Sequence, residues 1–211
     1  MRKIISTIVF VFFMNILPLL FKPELLINFK TLIILAGALA MFLTQPTFSV
    51  QEAVTNKTTD RFSIVIILLV SITVVSSSLV EWAYFNNRPS NLILTVLGIV
   101  MICSGLLFRV YSITTLGKYF TATARATNEH ILIKSGPYAI VRHPSYLGAI
   151  IVMMGVPVLL NNIVTLFSTI ILLAIAYVIR INTEEKLLSA VFGAEYKQYC
   201  IQVKRLIPYI W

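Results

Sequence analysis

The sequence predicts an all-α integral membrane protein with about six transmembrane helices and no Rossmann domain. The first observation is composition: mean hydropathy is +0.91 and only 12% of the 211 residues are charged, whereas about a quarter of the residues of a soluble domain carry charge. The second is that long apolar runs recur along the chain. The third is that no GxGxxG motif follows a strand pattern, as a dinucleotide-binding domain would require.

Six apolar runs define the expected helices. One crossing takes about 20 residues, so the shorter runs predict tilted helices or a locally thinned bilayer, and Thr31–Leu43 is short enough to be half-inserted. The first run follows a basic end but precedes no cleavage motif, and we interpret it as a membrane helix. The polar pair Asn161 and Asn162 predicts a tight helical hairpin between the last two runs. The runs are Ile4–Phe21, Thr31–Leu43, Phe62–Ala83, Leu92–Phe108, Tyr146–Leu160 and Ile163–Ile179.

The basic residues predict the orientation of these helices. With the N-terminus inside and six crossings, every Lys and Arg except Lys22, Lys30 and Arg88 falls on the inner side, which is the bias that cytoplasmic segments show. The net charge of +9 is therefore explained by topology and by anionic membrane lipids rather than by nucleic acid. This arrangement brings the loop 109–145 and the tail 180–211 to one cytoplasmic face.

The chain is expected to divide into two regions. Residues 1–108 form a transmembrane helical scaffold, in which Gly98 and Gly105 are interpreted as sites of close helix packing. Residues 109–211 form a second region in which the loop 109–145 and the C-terminal helix build a cytoplasmic pocket. No metal site is expected, because Cys103 and Cys200 stand alone and neither histidine belongs to an HExxH motif.

Residues 135–148, SGPYAIVRHPSYLG, concentrate polar side chains just before an apolar run. Pro144 disfavours a helical His143, and helix is expected to resume near Ser145. Ser145 would then lie at or near an N-cap, with backbone amides facing the cytoplasm. In the alternative interpretation Arg142 extends to lipid phosphate and His143 only caps the helix, and spacing alone leaves both open.

The stretch that follows the last apolar run, RINTEEKLLSAVFGAEYKQY, is expected to continue its helix. Arg180 and Glu184 are four residues apart, a spacing that also fits a simple surface salt bridge worth ~0.3–0.5 kcal/mol. Glu184, Glu185 and Lys186 likewise fit a solvated helix face. Taken singly, none of these residues defines a site.

Together the motifs resemble those of one enzyme family. His130–Ile133, then SGPY-x3-RHPSYLG, then R-x3-EE-x6-FG-x-EY-x2-Y are similar to the isoprenylcysteine carboxyl methyltransferases. The resemblance covers about residues 116–211. It implies an S-adenosylmethionine cofactor held without a Rossmann domain.

The resemblance also implies the residues of the site. Arg180 would face the methyl acceptor, and Glu184 would orient Arg180 while also contacting the cofactor. The chain departs from the family pattern at Thr123, where a glutamine is frequent, and at residues 182–185, where eukaryotic relatives carry a longer acidic run. The residues expected to line the cofactor pocket are His130, Ile131, Leu132, Ile133, Tyr138, His143, Pro144, Ser145, Tyr146 and Glu184.

The resemblance implies methyl transfer to the carboxylate of a lipophilic acceptor, an S-prenylated C-terminal cysteine or a similar isoprenoid carboxylate, that enters from the bilayer. A carboxylate is ionised at neutral pH and needs no general base, in keeping with the lack of an acid–base dyad in the sequence. One alternative is a methyltransferase acting on a lipid amine or phenol, with Glu184 or His143 as the base. Others are an NADPH-dependent sterol or lipid reductase and a non-catalytic transporter or anchor.

Overall fold

The structure is a computed structural model that describes residues 9–45, 58–86, 89–119, 131–208 and 210–211. The described residues are helical, with no strand beyond an isolated bridge between Val141 and Lys204. A π-helical turn, Glu81–Phe85, extends the third helix, and short 3₁₀ helices cover Pro23–Ile27, Gly117–Tyr119 and Gly136–Ala139. The six longer helices are α1 (Val9–Leu19), α2 (Phe29–Leu43), α3 (Thr58–Val80), α4 (Leu92–Leu116), α5 (Pro144–Leu159) and α6 (Ile163–Gln202).

Each apolar run is helical where the structure describes it, which confirms an all-helical fold. Within the described ranges, Phe62–Phe85, α4 and α6 are long and apolar enough to cross a membrane. The other three helices are shorter, so the total of six crossings stays a prediction.

Two helices extend beyond the runs that predicted them. The sequence places residues 109–116 in the loop, but α4 includes the buried Arg109 and continues to Leu116, ending at Gly117, whose φ of 53° does not continue a helix. Helix α6 spans Ile163–Gln202 but is broken at Gly193, whose backbone angles (φ 52°, ψ −118°) are not helical. The part before Gly193 has about 30 residues, which at 1.5 Å each is about 45 Å, half as long again as the hydrocarbon thickness of a bilayer. Its apolar half, to about Ile179, is the membrane segment, and the charged half projects beyond it.

Helices α4 and α5 pack with their backbones in contact. A Cβ atom at Gly98 would lie 2.5 Å from the Leu159 Cα, and one at Gly105 would lie 2.7 Å from the Gly148 carbonyl oxygen. No side chain fits at either position, because glycine is what allows two helix backbones to approach this closely. The packing role predicted for Gly98 and Gly105 is confirmed.

The hairpin between α5 and α6 is as tight as Asn161 and Asn162 predict. Asn161 adopts a φ of 60°, a left-handed conformation for which asparagine is favoured among non-glycine residues. Asn162 donates to the Ser78 carbonyl at 2.6 Å and accepts from the Asn86 amide at 2.9 Å. The Glu81 carboxylate accepts from the Thr165 amide at 2.8 Å and also from its hydroxyl. We call Ser78, Glu81, Asn86, Asn162 and Thr165 the hairpin cluster.

Candidate active site

The polar segment before α5 has the backbone conformation predicted from its prolines, except that His143 rather than Ser145 is the N-cap residue. His143 is not helical (φ −122°, ψ 57°), and α5 begins at Pro144. His143 is therefore the N-cap residue, and Ser145 lies inside the first turn. Among the backbone amides near this expected N-cap, those of Tyr146 and Leu147 donate to the His143 carbonyl, and the His143 amide donates to the Arg205 carbonyl.

The C-terminal tail holds this segment in place. The Arg142 amide donates to the Lys204 carbonyl at 2.7 Å, and the His143 amide donates to the Arg205 carbonyl at 3.0 Å. The Arg142 guanidinium donates to the carbonyls of Cys200 (3.1 Å) and Val203. Arg142 thus points into the protein, and the interpretation in which it extends to lipid phosphate is wrong.

Glu185 lies at the centre of a buried ionic cluster. One carboxylate oxygen accepts from the Arg142 Nε (2.9 Å) and Nη2 (2.8 Å), and the other accepts from the Arg205 Nε (3.0 Å) and Nη2 (2.8 Å). His143 Nε2 lies 3.2 Å from the first oxygen. We call Arg142, His143, Glu185 and Arg205 the Glu185 cluster.

Burial and hydrogen bonding act in opposite directions on the Glu185 carboxyl, which is 9% exposed. Burial alone would raise its pKa, but hydrogen bonds from His143, Arg142 and Arg205 outweigh burial and lower the pKa from 4.5 to about 2. Glu185 is therefore an anion at neutral pH. The interpretation of Glu185 as part of a solvated helix face is wrong.

Arg180 and Glu184 meet through the Tyr146 hydroxyl. That hydroxyl donates to the Glu184 carboxylate and accepts from the Arg180 Nε at 3.0 Å. Arg180 is only 5% exposed, and its Nη1 also donates to the Ser63 hydroxyl at 3.1 Å. A surface salt bridge does not describe this arrangement, because the guanidinium is buried and fixed from two helices.

His143 joins these two groups of residues. Its ring stacks on that of Tyr146, with centroids 5.5 Å apart and planes 2° apart. Its Nε2 faces Glu185 and its Nδ1 lies 3.9 Å from a Glu184 oxygen. The structure thus brings together three of the expected site residues, His143, Tyr146 and Glu184, beside Arg180.

Tyr138 carries a polar group that the described protein leaves unused. The side chain is 6% exposed, and its hydroxyl makes no hydrogen bond of normal geometry to a described residue, although the Ser145 side chain lies near enough to act on its pKa. Burial raises the pKa of this phenol, and the negative charge of Glu184 raises it further, so it stays a neutral donor. The Tyr138 carbonyl accepts from the Tyr199 hydroxyl at 2.6 Å, which fixes the backbone.

The other expected pocket residues differ in how far they are enclosed. Pro144 and Ser145 are buried, and Leu132 packs against Tyr196 and Tyr199. Ile133 is half-buried, whereas Ile131 is 63% exposed. Thr123 and His130 lie outside the described residues.

Arg109 is a buried cation that sequence reasoning used only to orient the helices. It is 3% exposed, and its guanidinium donates to the Ser145 carbonyl (3.0 Å) and the Thr44 hydroxyl (3.3 Å). No described carboxylate forms an ion pair with it. An intramembrane cation without a described counter-ion is itself a signal of function.

Comparison with known proteins identifies the family. A family model described as the isoprenylcysteine carboxyl methyltransferase family matches residues 96–190. A probable protein-S-isoprenylcysteine O-methyltransferase of Oryza sativa subsp. indica is 31% identical over 134 residues, which cover 63% of this chain and 70% of the rice protein. The chain belongs to the isoprenylcysteine carboxyl methyltransferase family. The resemblance inferred from its motifs is confirmed.

The chain spans two further relatives less completely. The Saccharomyces cerevisiae protein-S-isoprenylcysteine O-methyltransferase is 37% identical over 60% of this chain, and the chain spans 54% of that protein. The solved structure of a eukaryotic intramembrane Ras methyltransferase of this family superimposes with a TM-score of 0.62 at 24% identity, covering 85% of this chain and 63% of the other. That likeness shows that the protein shares an integral membrane fold.

Proposed function

We propose that this protein is an S-adenosylmethionine-dependent methyltransferase that methylates the carboxylate of a lipophilic acceptor. The acceptor class is an S-prenylated C-terminal cysteine or a similar isoprenoid carboxylate that enters from the bilayer. The observation that carries the proposal is the buried chain of contacts from Arg180 through Tyr146 to Glu184. In the proposed topology the chain crosses the membrane six times and this site faces the cytoplasm, within a catalytic region of residues 109–211 that follows a scaffold of residues 1–108.

The residues present fit an S-adenosylmethionine cofactor. The buried Tyr138 hydroxyl is a donor without a partner among the described residues, and the Glu184 carboxylate accepts, so both kinds of group that the amino-acid end of the cofactor requires are available. Ile131, Leu132 and Ile133, which precede Tyr138 in the sequence, supply apolar side chains suited to an adenine ring. The proposed cofactor contacts are His130, Ile131, Leu132, Ile133, Tyr138, His143, Pro144, Ser145, Tyr146 and Glu184.

Arg180 is proposed to position the acceptor. A planar guanidinium can donate to both oxygens of a carboxylate, and contacts with Tyr146 and Ser63 fix its plane. The acceptor carboxylate is ionised at neutral pH, so these residues need only align it and exclude water. When bound, S-adenosylmethionine supplies a methyl group on a positively charged sulfur. Transfer of that methyl group to a carboxylate oxygen would break its carbon–sulfur bond and leave a neutral thioether.

The two alternatives make different demands on the site. A lipid amine or phenol must lose a proton, which would require Glu184 or His143 to act as a base. A nicotinamide-dependent reductase is not favoured, because the relatives named above are methyltransferases.

The decisive experiment uses the purified full chain in detergent with S-adenosylmethionine labelled in its methyl group. An N-acetylated S-prenylcysteine should become labelled as a base-labile methyl ester, and the matched C-terminal amide should stay unlabelled. Equal labelling of the amide, or labelling only of a phosphatidylethanolamine vesicle, would contradict a carboxylate acceptor.

A further inference from the structure

Glu185 presents only acceptors to the histidine ring beside it. Both of its oxygens are held by guanidinium groups, at 2.8 and 2.9 Å from Arg142 and at 2.8 and 3.0 Å from Arg205. A carboxylate held in this way is ionised and has no hydrogen to donate. The hydrogen in the 3.2 Å contact between His143 Nε2 and Glu185 must therefore come from the histidine.

The opposite edge of the same ring faces Glu184. His143 Nδ1 lies 3.9 Å from a Glu184 oxygen, and stacking on Tyr146 fixes the plane of the ring. A neutral imidazole has one donor nitrogen and one acceptor nitrogen. The reverse tautomer would leave the Nε2 lone pair facing a carboxylate oxygen at 3.2 Å, with no hydrogen between two acceptors.

We infer that Glu185 is a positioning residue that fixes the tautomer of His143, with the hydrogen on Nε2 and the lone pair on Nδ1. Nδ1 and Glu184 then form a pair of acceptors suited to an N–H or O–H group of the ligand. The inference rests on the proposed function only for the identity of that ligand. The tautomer is a property of the protein without ligand, so the two ideas fail separately.

The direct test is nitrogen-15 NMR of the full chain in detergent, labelled in the histidine rings and without cofactor. The sequence has two histidines, so His130→Gln leaves His143 as the sole signal. At mildly alkaline pH, where an ordinary histidine ring is neutral, Nε2 should give a protonated-type shift and Nδ1 an unprotonated-type shift. The opposite assignment overturns the inference, and this test needs no change at residue 185.

A matched pair of variants separates positioning from mere stabilisation. Glu185→Gln removes the anion that receives the Nε2 hydrogen and should give a mixture of tautomers. Arg205→Gln removes two contacts to the other Glu185 oxygen but leaves the contact to His143, so the tautomer should stay fixed although thermal stability falls. Equal disturbance of the tautomer by both variants would reduce Glu185 to a structural role.

Binding of S-adenosylhomocysteine, measured by calorimetry with His130 intact, gives a second measurement. Glu185→Gln should weaken it about tenfold or more, whereas Arg205→Gln should change it by no more than about twofold. Unaltered affinity in Glu185→Gln would overturn the positioning role. If the unsubstituted protein shows the expected tautomer but does not bind S-adenosylhomocysteine, the proposed function fails and the tautomer assignment stands.

Discussion

The two ends of α5 carry polar clusters of different construction. At one end, the hairpin cluster joins one carboxylate to amide, hydroxyl and carbonyl groups, and its contacts link α3 to the start of α6. At the other end, the Glu185 cluster gathers two arginines and a histidine, and beside it the Tyr138 hydroxyl is buried without a described partner. The groups of both clusters are held by the protein and stabilise the fold, but at the Glu185 end a buried donor next to the cluster, the Tyr138 hydroxyl, is also left for a ligand.

The substitution with the largest expected effect is Arg180→Lys, at the ligand-binding end. Lysine keeps the charge but loses the planar pair of donors, so turnover of an S-prenylcysteine acceptor should fall on the order of 100-fold. Affinity for S-adenosylhomocysteine should change little. The measurement is steady-state methylation, with Lys186→Ala, an exposed cation on the same helix, as a control that stays near the unaltered rate. Equal activity of both variants would remove Arg180 from the site.

Tyr138→Phe removes a buried hydroxyl that makes no hydrogen bond of normal geometry to a described residue. Since little is lost within the protein, thermal stability should hold, while S-adenosylhomocysteine affinity should fall about threefold to tenfold, or ~1 kcal/mol. Tyr199→Phe is the matched control, since its hydroxyl donates to the Tyr138 carbonyl and its loss should lower stability more than affinity. A stability loss without an affinity loss in Tyr138→Phe would favour packing over cofactor binding.

Asn162→Ala, at the hairpin end, should lower stability without lowering activity. It removes the side-chain donor to the buried Ser78 carbonyl and one of the acceptors of the Asn86 amide, at a cost of about 1–3 kcal/mol of unfolding free energy. The methylation rate per folded molecule should be unaltered. Thermal unfolding in detergent provides the comparison, with Asn182→Ala, which lies exposed on α6, near the unaltered midpoint. A slower rate per folded molecule would mean that the two ends are coupled.

The smallest expected effect is a loss of protein stability at acidic pH, caused by protonation of Glu185. The folded pKa of Glu185 is about 2 and its ordinary value is 4.5, so its ionic contacts stabilise the protein fully above pH 4.5. That contribution is lost as pH falls from 4.5 towards 2, because the unfolded state binds the proton first. Glu185→Gln should be less stable at neutral pH and should show a shallower loss over that window. Parallel pH profiles of the two proteins would contradict the assignment.

Local patterns predicted what depends on neighbouring residues. Apolar runs located the six longer helices of the described residues, Asn161 and Asn162 located the hairpin, and Pro144 located the start of α5 to within one residue of Ser145. Each of these features follows from hydropathy, turn preference or ring geometry, and each is visible in a short stretch of sequence.

The Glu185 cluster could not be predicted in the same way. Its contacts join Arg142 to the backbone near residue 203, about sixty positions later. The hydrophobic pattern of the sequence does not predict that the tail packs against residues 141–143. Arg109 was missed for a related reason, because burial between two glycine-lined helices rather than local charge decides its role. For the Glu185 cluster, the local signal was the adjacent pair Glu184 and Glu185. Successive residues on a helix point about 100° apart, so the two carboxylates contact different neighbours.

The pairing of the tail with residues 141–143 has a consequence for biogenesis. Residues 203–206 follow the six described helices in the sequence and leave the ribosome after them, yet they supply the carbonyl acceptors for the Arg142 and His143 amides and the second guanidinium of Glu185. Until these residues are made, the site is open on one side. A ribosome-bound chain halted before residue 203 would therefore carry those six helices but lack the tail contacts of the Glu185 cluster.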